Sequence, residues 1–253
     1  MSRGASIDLN ADVGEGCASD RELVPLVTSV NIACGAHAGD RDTMRRSVEL
    51  ALRHGAGIGA HPGFADRENF GRREISISPA AAAGLVVGQA RMLMEVAAEL
   101  GTRVGHVKLH GALYNMAARD ADLADAIATA LAEDSRASGS RLILVALAGS
   151  VLASVGGDHG LTVIGEAFAD RSYRRDGTLT PRTEPGAVIA DADAAARQAL
   201  RIARERSVVA ADGAEVRVDA GTLCLHGDSP SAVGFARRIR RELAAAGIEV
   251  VRL

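Results

Sequence analysis

Short apolar runs alternate with longer helical patterns along the chain, and this alternation most narrows what the chain can fold into. The strand-like runs are SIDLNAD (6–12), SVNIACG (29–35), GIGAH (57–61), HVKLHG (106–111), LILVALA (142–148), VIGEAFA (163–169) and TLCLHG (222–227). A last run, IEVVRL (248–253), is placed to close or flank the sheet. Helical periodicity fills 41–54, 79–100, 119–134, 191–206 and 230–246. Ser78-Pro79 and Ser229-Pro230 have the form of an N-cap followed by a first-turn proline, and Gly101 and Gly247 stand where C-caps belong. The segment VVAADGAEVRV (208–218) reads as a β-hairpin around Asp212-Gly213. Strands joined by helical crossovers pair in parallel. The pattern therefore predicts a single α/β domain over 1–253, an irregular, TIM-like (β/α) barrel of about seven strands; an open doubly wound sheet is the alternative. Two charged loops, 62–78 and 170–188, are longer than a regular barrel needs and follow strands, where active-site lids tend to lie.

Composition excludes several classes of function. Aromatic residues are 2% of the chain, with no Trp, so the core must be built from Ala, Val, Leu and Ile. A net charge of −3 without a basic block argues against a nucleic-acid partner held through its phosphates. No run of 18 or more apolar residues and no basic-then-apolar N-terminal pattern stands out, which predicts a cytoplasmic chain with no membrane partner. Cys17, Cys34 and Cys224 are scattered and form neither a disulfide framework nor a CxxC site. There is no G-x-x-x-x-G-K-[ST] loop and no strand-following GxGxxG, so ATP cannot be held by those routes.

Side chains alternate faces along a strand. In SIDLNAD, Ile7 and Leu9 oppose Asp8, Asn10 and Asp12; in GIGAH, Ile58 and Ala60 oppose Gly59 and His61. In HVKLHG, Val107 and Leu109 oppose His106, Lys108 and His110; in TLCLHG, Leu223 and Leu225 oppose Cys224 and His226. One face is thus apolar and packs on helices, and the other carries ionisable groups that are costly to bury unless paired, hydrated or functional. Asp12, His61, His110, His226 and Asp228 are expected to meet at the C-terminal mouth of the barrel, with His37 joining from just beyond its strand. His54, in a helix C-terminal turn, His106, at the far end of its strand, and His159, in a loop, are expected to be structural. Lys108 is the only lysine among 29 Lys and Arg residues. In a chain that otherwise uses arginine, a compact ammonium two residues before a histidine marks a position where a planar guanidinium would not serve.

The segments DLNADVGEG (8–16), NIACGAHAGD (31–40), GAHPGFADRENFGRR (59–73), KLHGALYN (108–115), EAFADRSYRRDG (166–177) and LHGD (225–228) together resemble the LamB/YcsF family, the A component of prokaryotic 5-oxoprolinase. The family usually has Cys where Ala11 stands and Pro where Leu109 stands, so a catalytic thiol at position 11 is impossible here. The resemblance implies an irregular (β/α) barrel of the glycoside hydrolase/deacetylase type. It also implies ATP-dependent opening of 5-oxo-L-proline to L-glutamate, with ATP and magnesium as co-substrate and cofactor and two other subunits as partners. A lactam is a poor electrophile, and phosphorylating its carbonyl oxygen would let water attack. Asp12, His61 or His110 would then be the base, and Lys108 the electrostatic partner of developing negative charge. Arg72, Arg73 and Arg171 are candidate clamps for carboxylate or phosphate. Asn10, Glu15, Asn31, Tyr114, Asn115 and Glu166 are candidates to orient substrate. Two rival readings are a metal-dependent amidohydrolase, with Asp12, His37 and His61 as ligands, and a substrate-binding subunit whose chemistry happens in a partner.

Overall fold

A computed structural model describes residues 5–225 and 232–253. In chain order its strands are β1 (Ser6–Val13), β2 (Ser29–Ala33), β3 (Gly57–His61), β4 (His106–Lys108), β5 (Ile143–Leu147), β6 (Thr162–Phe168), β7 (Ser207–Val209), β8 (Glu215–Arg217), β9 (Thr222–Leu225) and β10 (Glu249–Val250). Strands β1 to β6 and β9 are parallel neighbours, and β9 pairs with both β6 and β1, which closes a seven-stranded barrel. Strand β10 flanks this barrel and does not close it. The eight residues of β1 are enough to take β10 along Ser6–Ile7, β9 along Asp8–Ala11 and β2 along Asn10–Val13. The expected hairpin forms as β7 and β8, with Gly213 at φ 84° in its turn.

The helices are α1 (Asp20–Leu23), α2 (Arg41–His54), α3 (Pro79–Glu99), α4 (Gly111–Ala117), α5 (Ala121–Ala137), α6 (Val151–Asp158), α7 (Ala192–Glu205) and α8 (Ala232–Ala245). Five of them are capped at the start by a side chain that accepts from the backbone N–H of the third helical residue. Asp40 accepts from Thr43, Ser78 from Ala81, Asp120 from Leu123, Ser150 from Ala153 and Asp191 from Ala194. Gly101 and Gly247 are left-handed at φ 70° and 71°, as C-cap glycines should be. The Ser229-Pro230 cap lies outside the described residues. Helix α3 is apolar and long enough to span a membrane by length and composition; in the fold its Ala82, Val86, Ala90, Leu93 and Val96 are buried in the common core. That core, between barrel and helices, is almost wholly Ala, Val, Leu and Ile.

Three helices, α1, α4 and α6, lie outside the predicted helical segments. Helix α6 interrupts a stretch whose Gly156 and Gly157 depress helix propensity. Gly156 packs so closely that a Cβ there would lie 2.7 Å from Leu144 Cδ2. Helix α4 begins at Gly111, φ 57°, where the sequence pattern extends the fourth strand to residue 111. Strand β4 stops at Lys108 because His110 N–H donates to the Pro62 carbonyl at 2.8 Å, outside the sheet ladder.

Candidate active site

The strand alternation brings an unusual set of polar groups into the barrel. Asp8 accepts from the hydroxyls of Thr28, Ser29 and Thr222, all within 2.8 Å. Asn10 donates to Thr222 (2.7 Å) and to Glu166 (3.0 Å), and Asn31 donates to Asn10 and Asp12, both at 2.8 Å. His106 donates from Nε2 to Asn31 Oδ1 at 2.8 Å. Its ring occupies the space opened by Gly59 on the adjacent strand, where a Cβ would fall 2.0 Å from Nε2. Burial, reinforced by the charge of Lys108, pushes the His106 pKa down to about 3, so His106 is a neutral structural group.

Above this layer sits Lys108, buried, with its ammonium 2.9 Å from both Asp12 Oδ1 and Glu166 Oε1 and 3.0 Å from Cys224 Sγ. Burial disfavours the ammonium, but Asp12 and Glu166 outweigh it and hold the pKa well above that of ordinary lysine. Lys108 is therefore a fixed positive charge. The hydroxyl of Tyr114, on α4, donates to the other Glu166 oxygen at 2.8 Å.

At the mouth, two histidines face each other. His61 Nδ1 donates to the Lys108 carbonyl at 2.8 Å, and His110 Nε2 donates to the Phe70 carbonyl at 2.8 Å. The remaining nitrogens, His61 Nε2 and His110 Nδ1, are 3.0 Å apart. Around them lie Asp12 Oδ2, 3.3 Å from His61, and Glu15 Oε1, 3.3 Å from His110 and 3.9 Å from His61. Burial lowers the pKa of His61, but the Asp12 carboxylate outweighs it and the net shift is upward. For His110 burial dominates and the shift is downward. The opposite shifts make His61 the more basic member of the couple. Phe70 sits at φ 54°, a strained conformation for an aromatic residue, and its carbonyl is the one that anchors His110. His37 stacks flat on His110 at 3.7 Å between centroids and donates from Nε2 to Glu15 at 3.2 Å. Burial pushes its pKa down to about 4, so His37 is neutral and serves to hold Glu15.

A cavity of about 600 Å³ opens over this floor. Asp12, His61, Lys108 and His110 form its base, α4 contributes Tyr114 and Asn115, and Arg72 and Arg171 border it from the two long loops. The 170–188 loop folds back on itself through the bridges Arg171–Val188 and Tyr173–Leu179. Buried Arg171 donates to the carbonyls of Ala187 and Thr180 and stands near Arg182 and Arg72, so three guanidinium groups gather at the rim. Gln198 of α7 pins the base of this loop through the carbonyls of Phe168, Ala169 and Arg171.

Of the residues singled out by sequence, Asn10, Asn31 and Glu166 lie beneath the cavity, where they position Asp12 and Lys108. Glu15 and His37 stand beside the histidine pair. Arg73 is displaced from its expected role. Its side chain is 65% exposed and pairs with Asp66 at 3.3 Å, away from the cavity wall. Leu109, expected only on the helix side, also borders the cavity, because strand alternation no longer applies after Lys108. His159 ends α6 and pairs with Asp125. His226 and Asp228 lie outside the described residues. Sequence reasoning missed Arg174 and Arg182 on the rim and Cys224 as a contact of Lys108. The arginines sit in an aperiodic loop, whereas Cys224 was readable from its inward place in TLCLHG.

The LamB/YcsF family model matches residues 7–253. The crystal structure of a lactam utilization protein from Thermus thermophilus is 44% identical, with a TM-score of 0.89, covering 98% of this chain and 100% of that one. Two more distant structures share the fold. The catalytic domain of a peptidoglycan N-acetylglucosamine deacetylase from Eubacterium rectale is 12% identical, with a TM-score of 0.56 over 100% of this chain and 90% of that one. A family 4 carbohydrate esterase from Streptomyces lividans is also 12% identical, with a TM-score of 0.50 over 99% and 93%.

Proposed function

Because the chain belongs to the LamB/YcsF family, we propose that it is the barrel subunit of an ATP-dependent 5-oxoprolinase, opening 5-oxo-L-proline to L-glutamate together with two other subunits. The similar Thermus thermophilus protein, described as a lactam utilization protein, supports a lactam substrate. The observation that carries the reading is the pairing, in one cavity, of a basic histidine couple at the floor with guanidinium groups at the rim. A small anionic substrate would be drawn in by Arg72, Arg171 and Arg182, which match carboxylate and phosphate oxygens.

Once ATP has phosphorylated the lactam oxygen, water adds to the ring carbon and gives up a proton. The C–N bond then breaks as the ring nitrogen is protonated, leaving an acyl phosphate that a second water hydrolyses. In this scheme His110, the neutral member of the histidine couple, takes the proton of the attacking water. His61, whose pKa the Asp12 carboxylate raises, supplies a proton toward the leaving nitrogen. Lys108 cannot act as a base and offers fixed positive charge to the oxygens that become negative. The test is reconstitution: the three subunits together should form glutamate from 5-oxoproline only when ATP is added and only when this chain is present. Equal glutamate formation by the other two subunits alone would refute the proposal.

A further inference from the structure

The couple of facing imidazoles raises a question that the proton alone answers only in part. Each ring already spends one N–H on a backbone carbonyl, Lys108 for His61 and Phe70 for His110. In the neutral rings the tautomers are thereby fixed so that two ring lone pairs point at each other across 3.0 Å. Two lone pairs at that distance repel unless a cation lies between them. A carboxylate flanks each ring, and the ligand atoms of Asp12, Glu15, His61 and His110 all lie within 4.8 Å of one another. Four ligands disposed tetrahedrally at ordinary His and carboxylate bond lengths lie about 3.3–3.6 Å apart. The separations of 3.0, 3.3, 3.3 and 3.9 Å around this ring bracket that value.

Charge points the same way. The side chains of Asp12, Glu15 and Glu166 are three carboxylates nearly out of contact with solvent, and Lys108 balances Asp12 and Glu166 with one charge. Among the described residues Glu15 is met only by imidazoles, those of His37, His61 and His110. One ammonium against three carboxylates leaves the cluster short of positive charge, and buried charge is retained only where it is compensated. The ligands also have an outer layer: backbone carbonyls orient both rings, Lys108 and Asn31 hold Asp12, and His37 holds Glu15.

We propose that Asp12, Glu15, His61 and His110 bind one divalent transition-metal ion of the zinc or cobalt class. The set differs from the Asp12, His37 and His61 trio that strand placement suggests, because His37 bonds Glu15 and stacks behind His110. Two imidazoles and two carboxylates suit zinc, cobalt or nickel; magnesium and calcium prefer oxygen ligands alone. Such an ion polarises a carbonyl or a bound water when present. A bound ion would occupy the His61 and His110 nitrogens that the proton-transfer scheme uses, so the metal-bound and proton-transferring forms of the couple exclude each other. Binding is measured without any substrate, so its failure is distinguishable from failure of the lactam reading.

The test uses the whole 253-residue chain, depleted of metal with a chelator and titrated with Zn²⁺ and Co²⁺ by calorimetry, elemental analysis and Co²⁺ absorption. One ion per chain is expected, undisturbed by excess Mg²⁺. His61→Gln, His110→Gln and Glu15→Gln should each weaken binding more than about 100-fold, and His37→Gln about 10- to 100-fold. His159→Gln, at the exposed Asp125 pair, should leave it unchanged. Zn²⁺ should also raise the melting temperature of the wild type but not of Glu15→Gln, a change outside the strands that separates lost binding from lost folding. Failure of the depleted chain to take up one equivalent, or equal affinity in the folded Glu15→Gln and His110→Gln variants, would overturn the proposal and leave the couple holding a proton only.

Discussion

Lys108 concentrates much of the physical chemistry of this molecule in one side chain. Its ammonium lies between Asp12 and Glu166 in the interior of the barrel, so its removal leaves two buried carboxylates sharing no cation. Breaking a buried ion pair from one side typically costs about 3–5 kcal/mol. Lys108→Met should therefore lower the unfolding free energy by about that amount in urea titrations. The double variant Lys108→Met/Glu166→Gln should lose less than the two single changes summed; additive losses would show that the pair is not coupled. The special status of Lys108 was readable from composition alone, as one lysine set in an arginine-rich chain. Its partner across the barrel was harder to read, because Glu166 is brought to Lys108 by barrel closure and not by any local spacing. Arg73 shows the converse limit: adjacent to Arg72 in sequence, it turns outward to Asp66, and no residue-level pattern distinguishes the two.

Neighbouring strands β3 and β4 are fitted to each other through Gly59 and His106. A methyl group at 59 would overlap the imidazole, so Gly59→Ala should cost at least about 1–3 kcal/mol, the usual range for overpacking. Adding His106→Ala to that variant should recover part of the loss in thermal melts. An additional full loss would mean that the two positions do not compete for space. At this scale the sequence was most informative where period and cap agree, as in α2, whose bounds match the predicted 41–54. It was least informative where an element is short or glycine-bearing, as in α4 and α6, because tertiary contacts override a weak local preference there. The 170–188 loop was visible as long and charged, but its two bridges and its hold on Arg171 depend on backbone contacts that no side-chain pattern encodes.

As a whole, the molecule buries polar groups along the axis of a barrel where branched apolar residues would be ordinary. One consequence is acid sensitivity. His106 is neutral in the fold, with its pKa pushed down to about 3, and returns to the ordinary histidine value on unfolding. A depressed pKa contributes stability that is complete above about pH 6.5 and is lost as pH falls toward the folded value. Between about pH 6.5 and 4.5 this one residue should remove up to roughly 3 kcal/mol. A folded His106→Gln variant should show a correspondingly flatter pH profile of melting temperature; an unchanged profile would assign the acid sensitivity elsewhere. The closed barrel and the inward convergence of Asp12, His61, Lys108 and His110 followed from two periodicities, about 3.6 in helices and 2 in strands. The cavity rim, built from loops, did not. The central claim, that this mouth carries out lactam opening, is tested most directly by 5-oxoproline-dependent phosphate release from the reconstituted three-subunit complex containing His110→Ala in place of the wild-type chain. Loss of the proton acceptor should lower kcat by about 10²- to 10⁴-fold while the complex still assembles. Full retention of the wild-type rate would contradict the account.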